Sequence, residues 1–258
     1  GASLELKAYT DERTAAEDFK AGQCDAVMLT GMRGRQFNLF AGSLDSIGAI
    51  PTYSVMDKAI STIANPALAP KLTNGKYEVA GIAPAGAAYL FVKSRSINHV
   101  DKLAGKKIAI FDYDKSQAKM VQKVGAQPVS SDISNFAAKF NNNAVDIIAA
   151  PAMAYKPLEL YRGIGSKGGI VRYPILQATA TILMRRDLVL PKIPDMDERL
   201  LQLRQYGLQF ITEFMKSLDK VEARIPASVW IDLSPEERVK LGRLLREARL
   251  GMTRDGAY

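Results

Sequence analysis

Lys107-Ile108-Ala109-Ile110-Phe111 is a strand-like stretch of one lysine and four apolar residues closed by the polar Asp112-Tyr113-Asp114, and together with the segments after it this run sets the architecture of the chain. A helical segment from Lys115 to Val124 comes next, then a short strand at Pro128–Ser130, a second helical segment from Ser134 to Phe140, and an apolar run from Val145 to Ala150. Short strands alternating with helices predict parallel pairing with helices on the sheet faces, which is an α/β fold.

The N-terminal stretch reads the same way. Leu4 to Tyr9 alternates like a strand, Thr10 or Asp11 can cap a helix through Ala15, Ala16 and Phe19, Gly22 stops it, and Ala26–Leu29 reads as a buried strand. The two halves echo each other: Ala16-Glu17-Asp18-Phe19 leads after six residues to Asp25 and an apolar strand, and Ala137-Ala138-Lys139-Phe140 leads after six residues to Asp146 and another. Two similar half-molecules are the simplest explanation, with chance likeness of two βαβ units as the alternative. Between them, Gly34–Phe40, Val55–Ala64 and Ala67–Leu72 read as helical, and Tyr77–Ile82 and Ala87–Val92 as two strands joined by Ala83-Pro84-Ala85-Gly86. Past a Gly-rich turn at Gly163–Gly169, strands are expected near Ile170–Tyr173 and Thr179–Met184. A long helix then runs through Leu200, Leu203, Tyr206, Phe210 and Phe214. Ser234-Pro235-Glu236-Glu237 reads as a capping box that opens a last helix.

With 258 residues, 47% of them hydrophobic, the chain can build two packed lobes. No stretch approaches the roughly 20 apolar residues of a membrane span; the longest, Val79 to Val92, is broken by Gly81, Pro84 and Gly86. No basic and apolar leader opens the chain, so an export signal is expected to be already removed or never present, and Gly1-Ala2-Ser3 reads as a remnant of cloning. The net charge of +8 is dispersed: residues 95–172 carry twelve Lys or Arg against six Asp or Glu, and the Arg-rich tail is interleaved with acids. A nucleic-acid binder gathers its cations on one stripe, so no nucleic-acid partner is expected. Cys24 is the only cysteine, which excludes a disulfide within the chain and a cysteine-based zinc site.

Catalytic signals are absent from the pattern. His99 is the sole histidine, Gly163-Ile164-Gly165-Ser166-Lys167-Gly168 lacks the spacing of a phosphate loop, and Asp112 and Asp114 suit helix capping better than acid–base work. No catalytic residue, metal or cofactor is therefore expected. Ligands in open α/β sheets gather at the carboxyl ends of strands. The residues placed there are Tyr9 after the first strand, Thr30, Met32, Arg33 and Arg35 after the second, Ala87 and Tyr89 at the crossover, Asp112 and Tyr113 after Phe111, and Pro151 and Tyr155 after Ala150. Glycines there allow close backbone approach, while Tyr, Met and Arg supply apolar walls and a polar clamp. Arg33 and Arg35 fall at the expected start of a helix, where its dipole disfavours cations and a functional reason gains weight.

The segments Leu103-Ala104-Gly105-Lys106-Lys107-Ile108-Ala109-Ile110, Val124-Gly125-Ala126-Gln127-Pro128-Val129 and Phe140-Asn141-Asn142-Asn143-Ala144-Val145-Asp146, with Pro151 and Ile225-Pro226-Ala227-Ser228-Val229-Trp230, resemble the TRAP-type (dicarboxylate receptor-like) periplasmic solute-binding proteins. Phe19-Lys20-Ala21-Gly22-Gln23-Cys24-Asp25 and Arg33-Gly34-Arg35-Gln36-Phe37-Asn38 are similar to a divergent branch labelled as associated with RND-type transporters. The resemblance implies a type II periplasmic-binding-protein fold: two α/β lobes, residues 1–84 with 177–258 and residues 93–172, crossovers at 85–92 and 173–176, and a ligand cleft between the lobes. It implies a monomeric periplasmic receptor that captures a small-molecule solute and delivers it to a membrane transporter component. A carrier of hydrophobic compounds for an RND-type transporter and an enzyme on the same fold are the alternatives. It also implies a further strand and helix ahead of Leu4, where Cys24 would have found a disulfide partner. The arginine that clamps carboxylates in those receptors is Ala109 here, so a ligand larger or less acidic than a dicarboxylate is expected.

Overall fold

The structure is a computed structural model describing residues 3–257, apart from the side chain of Ser116; Gly1 and Ala2 of the supposed cloning remnant lie outside the described residues. Asp11 accepts hydrogen bonds from the Arg13 and Thr14 N–H groups and so opens α1 (Glu12–Ala21), which ends at Gly22 with a left-handed φ of 81°. Next come β1 (Ala26–Thr30), the single turns α2 (Gly31–Gly34) and α3 (Leu39–Gly42), α4 (Tyr53–Ile63), β2 (Thr73–Asn74) and the long β3 (Tyr77–Val92). The α/β series is β4 (Lys107–Phe111), α5 (Lys115–Lys123), β5 (Gln127–Ser131), α6 (Phe136–Asn141), β6 (Ile147–Pro151), α7 (Leu160–Ile164) and β7 (Gly169–Val171). The chain closes with β8 (Leu176–Arg185), α8 (Arg186–Val189), α9 (Met196–Ala223), β9 (Trp230–Ile231) and α10 (Pro235–Arg254).

The strands form one sheet in the order β1-β8-β3-β6-β4-β5, with β3 and β8 antiparallel from Tyr77↔Arg185 to Ala88↔Leu176. Each of these two strands starts in one lobe and ends in the other. β1 pairs with the far half of β8, where Ala26 faces Met184, and β6 with the far half of β3, where Ile147 faces Val92. The echo is therefore structural. The Asp25 carbonyl accepts the Arg185 N–H at 2.9 Å and the Asp146 carbonyl the Lys93 N–H at 3.0 Å, while Phe19 and Phe140 are each wholly buried in their lobe's core. The first core gathers Phe19, Phe37, Met56 and Leu183; the second gathers Phe91, Phe140, Ile148 and Trp230. Parallel pairing of β4 with β5 and β6 completes the α/β pattern of the second lobe.

Five expectations change. Residues 4–9 form no strand: Leu4 and Leu6 are 84% and 91% exposed, because alternation alone does not make a strand without a neighbour to pair with. β1 is consequently not half of a parallel pair and instead runs antiparallel to β8. The two strands expected at Tyr77–Ile82 and Ala87–Val92 are one, since the register shifts between Val79 and Gly81 and between Pro84 and Gly86 absorb the proline and the left-handed glycine as bulges. The helix expected over Gly34–Phe40 is replaced by the turns α2 and α3. The C-terminal stretch does not belong wholly to the first lobe: β9 pairs with β7, and Ile231, Leu241 and Leu245 pack into cores shared with Val171, Leu176 and Ala88. Half of the capping box forms, with Ser234 Oγ accepting the Glu237 N–H at 3.2 Å. The Glu237 carboxylate instead accepts the Val100 N–H at 2.9 Å and so ties α10 to the second lobe.

Candidate ligand-binding cleft

The first wall of the cleft grows out of the turn after β1. Thr30 Oγ1 accepts the Arg33 N–H at 3.3 Å and caps α2. At Gly31 an added Cβ would lie 2.1 Å from Thr179 Oγ1 and 2.2 Å from Asp45 Oδ2, so only glycine lets the backbone come this close. Asp45 accepts from the Thr179 N–H at 2.9 Å and the Thr179 hydroxyl at 2.6 Å, and burial pushes its carboxyl up to about 7 against those hydrogen bonds and the Arg35 charge. Because α2 lasts a single turn, Arg33 stands in its last turn and not at the start of a long helix. The unfavourable helix dipole expected at this position is therefore not there. Arg33 is held by a carboxylate instead: its Nε donates to Glu12 Oε2 at 3.0 Å, and Glu12 Oε1 accepts the Thr30 N–H at 2.5 Å.

The second wall is the turn between β4 and α5. Asp114 caps α5 by accepting the Gln117 N–H at 3.0 Å, as its place in the sequence suggested. Tyr113 lies flat beneath Arg33, whose guanidinium carbon is 4.0 Å from the ring centre, and the Tyr113 hydroxyl shares a hydrogen bond with Thr30. Burial first, and then the Glu12 charge, raise the Tyr113 pKa, so the phenol stays protonated.

Across the gap the charges oppose one another without hydrogen bonding. Arg33 Nη2 is 3.9 Å from Asp112 Oδ1, Arg13 Nη1 is 3.8 Å from Asp112 Oδ2, and Arg35 Nη1 is 3.8 Å from Asp114 Oδ2. These are ion-pair distances, too long for N–H···O hydrogen bonds. Arg33 Nη2, although buried, has no hydrogen-bond partner among the described residues. Leaving such a donor unmet costs about 1–3 kcal/mol or more, and a ligand atom that accepts from it recovers that cost. Around this point lies a cleft of about 550 Å³, bounded by Arg13, Glu17, Lys20, Met32, Gln36 and Leu39 on the first lobe, Lys115 on the second, and Gly256 and Ala257 of the tail.

Of the residues singled out in the sequence, Met32, Arg33, Arg35, Asp112 and Tyr113 meet on this cleft, with Thr30 directly behind them. The others lie elsewhere. Tyr9 donates to Asp18 at 2.7 Å beside Cys24. Ala87 is buried at the crossover, its N–H bound to the Tyr53 hydroxyl at 3.0 Å. Tyr89 donates to Glu222 at 2.5 Å and meets the edge of Trp230. Pro151 pairs with Ala88 inside the sheet, and Tyr155 is buried in the second core with its ring against Tyr161. Sequence reasoning missed Arg13, Glu17 and Lys20, whose spacing puts them on one face of α1 but reads like an ordinary solvated face. Among the described residues, no group of three or more His, Cys, Asp or Glu side chains is placed to hold a metal ion.

This geometry of two half-sheets sharing two crossing strands around a polar cleft has counterparts. A family model described as solute-binding protein AdeT 1/2 matches residues 1–258. The chain belongs to the AdeT 1/2 solute-binding protein family. Among AdeT relatives, the Acinetobacter baumannii protein named Probable solute-binding protein AdeT1 is 44% identical over 258 residues, all of this chain and 83% of its own length. Probable solute-binding protein AdeT2 of the same organism is 27% identical over 217 residues, covering 84% of this chain and 89% of its own length. The AdeT fold is that of the two-lobed TRAP periplasmic solute-binding proteins. One from Sulfitobacter sp. NAS-14.1 with bound β-D-galacturonate superposes with a TM-score of 0.77 at 12% identity, over 95% of this chain and 82% of its own. One from Ralstonia eutropha H16 with bound (S)-2-acetolactate superposes with a TM-score of 0.76 at 12% identity, over 95% of this chain and 79% of its own. The family assignment makes the chain a solute-binding protein. No described helix is long and apolar enough to cross a membrane.

Proposed function

We propose that this AdeT-family chain is a periplasmic receptor that captures a small organic solute between the Arg33/Arg35 wall and the Asp112/Tyr113/Asp114 wall and delivers it to a membrane transporter. The observation that carries this reading is the buried Arg33 guanidinium, facing a roughly 550 Å³ cleft lined by both lobes with one N–H group unmet. A solute seated there bridges the walls, stabilises the lobes in contact and presents a changed surface to the transporter. The bulges that interrupt the β3–β8 ladder between Val79 and Gly86 are suited to absorb such a motion. Native mass spectrometry of the purified protein, followed by a thermal-shift screen, tests the reading. A bound small molecule, or a solute that raises the melting temperature, supports it, and the absence of both counts against it.

A second reading, a carrier of hydrophobic compounds for an RND-type transporter, is favoured by a separate feature. A groove of about 340 Å³ between α4, β3 and α9 is lined by Ile60, Ile63, Ile182, Leu203, Phe210 and Phe214, with Phe210 and Phe214 partly exposed. Lipid or another apolar compound co-purifying with the protein would favour it. A catalytic role is not proposed; the cleft carboxylates face arginines, and turnover abolished by Asp112→Asn would reverse that judgement.

A further inference from the structure

The two walls of the cleft carry opposite net charge, with Arg13, Lys20, Arg33 and Arg35 outnumbering Glu17 on the first lobe and Asp112 and Asp114 outnumbering Lys115 on the second, and this constrains what can sit in it. The first lobe contributes Arg33 and Arg35, each no more than 9% exposed at the side chain, and the second contributes Asp112 and Asp114. Each carboxylate sits 3.8–3.9 Å from a guanidinium, close enough for strong attraction and too far to satisfy a hydrogen bond. Arg13 adds a further cation at 3.8 Å from Asp112.

A purely anionic solute would satisfy the Arg33 N–H but would carry its charge against Asp112 and Asp114 as the lobes meet. A purely cationic solute would satisfy the carboxylates and face Arg33, Arg35 and Arg13. Either charge alone is attracted by one wall and repelled by the other. A molecule with both signs can insert between the walls with each end matched: its anionic group on Arg33 and Arg35, and its ammonium or other N–H donor on Asp112 and Asp114. Charge-assisted hydrogen bonds to both walls then replace the long ion pairs. Met32, Leu39 and the Tyr113 ring supply the apolar surface for the carbon skeleton.

Resting on the receptor reading above, we infer that the solute is amphoteric, a small molecule bearing a carboxylate or similar anion together with an ammonium-type donor. A dicarboxylate is disfavoured by Asp112 and Asp114, which repel its second charge.

Calorimetry and thermal shift on the whole chain test this with defined probes: the L-amino acids and 4-aminobutyrate as amphoteric compounds, butyrate and glutarate as anions, and cadaverine as a cation. The expected result is that at least one amphoteric probe binds tenfold or more tightly than butyrate, glutarate or cadaverine. Two variants sharpen it. Asp112 is a third exposed and Asn is as good a helix cap as Asp, so Asp112→Asn with Asp114→Asn is expected to keep the fold. In that double variant the amphoteric probe should weaken at least tenfold while butyrate and glutarate tighten. Arg33→Gln should weaken both the amphoteric and the anionic probes. Glutarate binding best to the native protein, or an amphoteric affinity that the double variant leaves unchanged, overturns the inference while leaving a solute receptor in place. A protein that binds no probe and carries no small molecule when purified overturns the receptor reading, and the inference with it.

Discussion

The turn after β1 and the turn after β6 occupy equivalent places in the two lobes and do different work. Both come after a strand that opens at an Asp whose carbonyl is bound by a crossing strand, and both carry a methionine at the matching position, in Gly31-Met32-Arg33-Gly34-Arg35 and Ala152-Met153-Ala154-Tyr155-Lys156. In the first lobe the turn sends two guanidiniums into the cleft; in the second, Ala152 and Tyr155 turn into the core. The second lobe's polar wall comes from another turn, between β4 and α5. The shared pattern builds the scaffold, and the residues that depart from it line the cleft proposed as the site.

The scaffold half of this comparison breaks most visibly at its two phenylalanines. Phe19→Ala and Phe140→Ala each remove a wholly buried ring, and each should cost about 3–5 kcal/mol in urea unfolding; a large inequality between them would deny the equivalence of the lobes. Gly31→Ala sharpens the difference between the turns. Its counterpart, Ala152, already carries a methyl group, whereas at Gly31 the same methyl collides with Asp45 and Thr179, and a loss of about 3 kcal/mol is expected.

Asp45 behind that turn gives a pH test. Its folded pKa of about 7 lies above the unfolded value near 3.8, so the native state holds the proton longer. Stability is then highest below the unfolded pKa and falls as pH rises toward 7, by about 2 kcal/mol between pH 5 and 7. Asp45→Asn should flatten this part of the native stability profile, as read by unfolding at each pH; an unchanged slope contradicts the assignment. Asp112→Asn is expected to have the smallest effect on stability, under about 1 kcal/mol, because its ion pairs are long and partly exposed.

Much of the fold was legible from local pattern. The strand Lys107–Phe111 and the cap at Asp114 fall where the apolar run and the acids placed them. The Phe-to-Asp spacing foretold the shared construction of the lobes. What was not legible depends on neighbours. Leu4–Tyr9 has the alternation of a strand without a partner, Pro84 looks like a break until a bulge accommodates it, and α10 joins the second lobe through Glu237 and Val100, 137 residues apart. The site divides in the same way. Arg33, Arg35, Asp112 and Tyr113 line the cleft as residues at strand ends can, whereas Tyr89 and Tyr155 were chosen by the same rule although their rings point into the protein. Sequence order cannot tell which side of a sheet a turn residue will take.

The central claim is that solute is held by the cleft between the two lobes and not by the turn after β6. Calorimetric titration of the tightest-binding amphoteric probe into the native protein, Arg33→Gln and Tyr155→Phe tests it directly. At least a tenfold loss of affinity with Arg33→Gln and a change within twofold with Tyr155→Phe is the predicted result; the reverse pattern would contradict it.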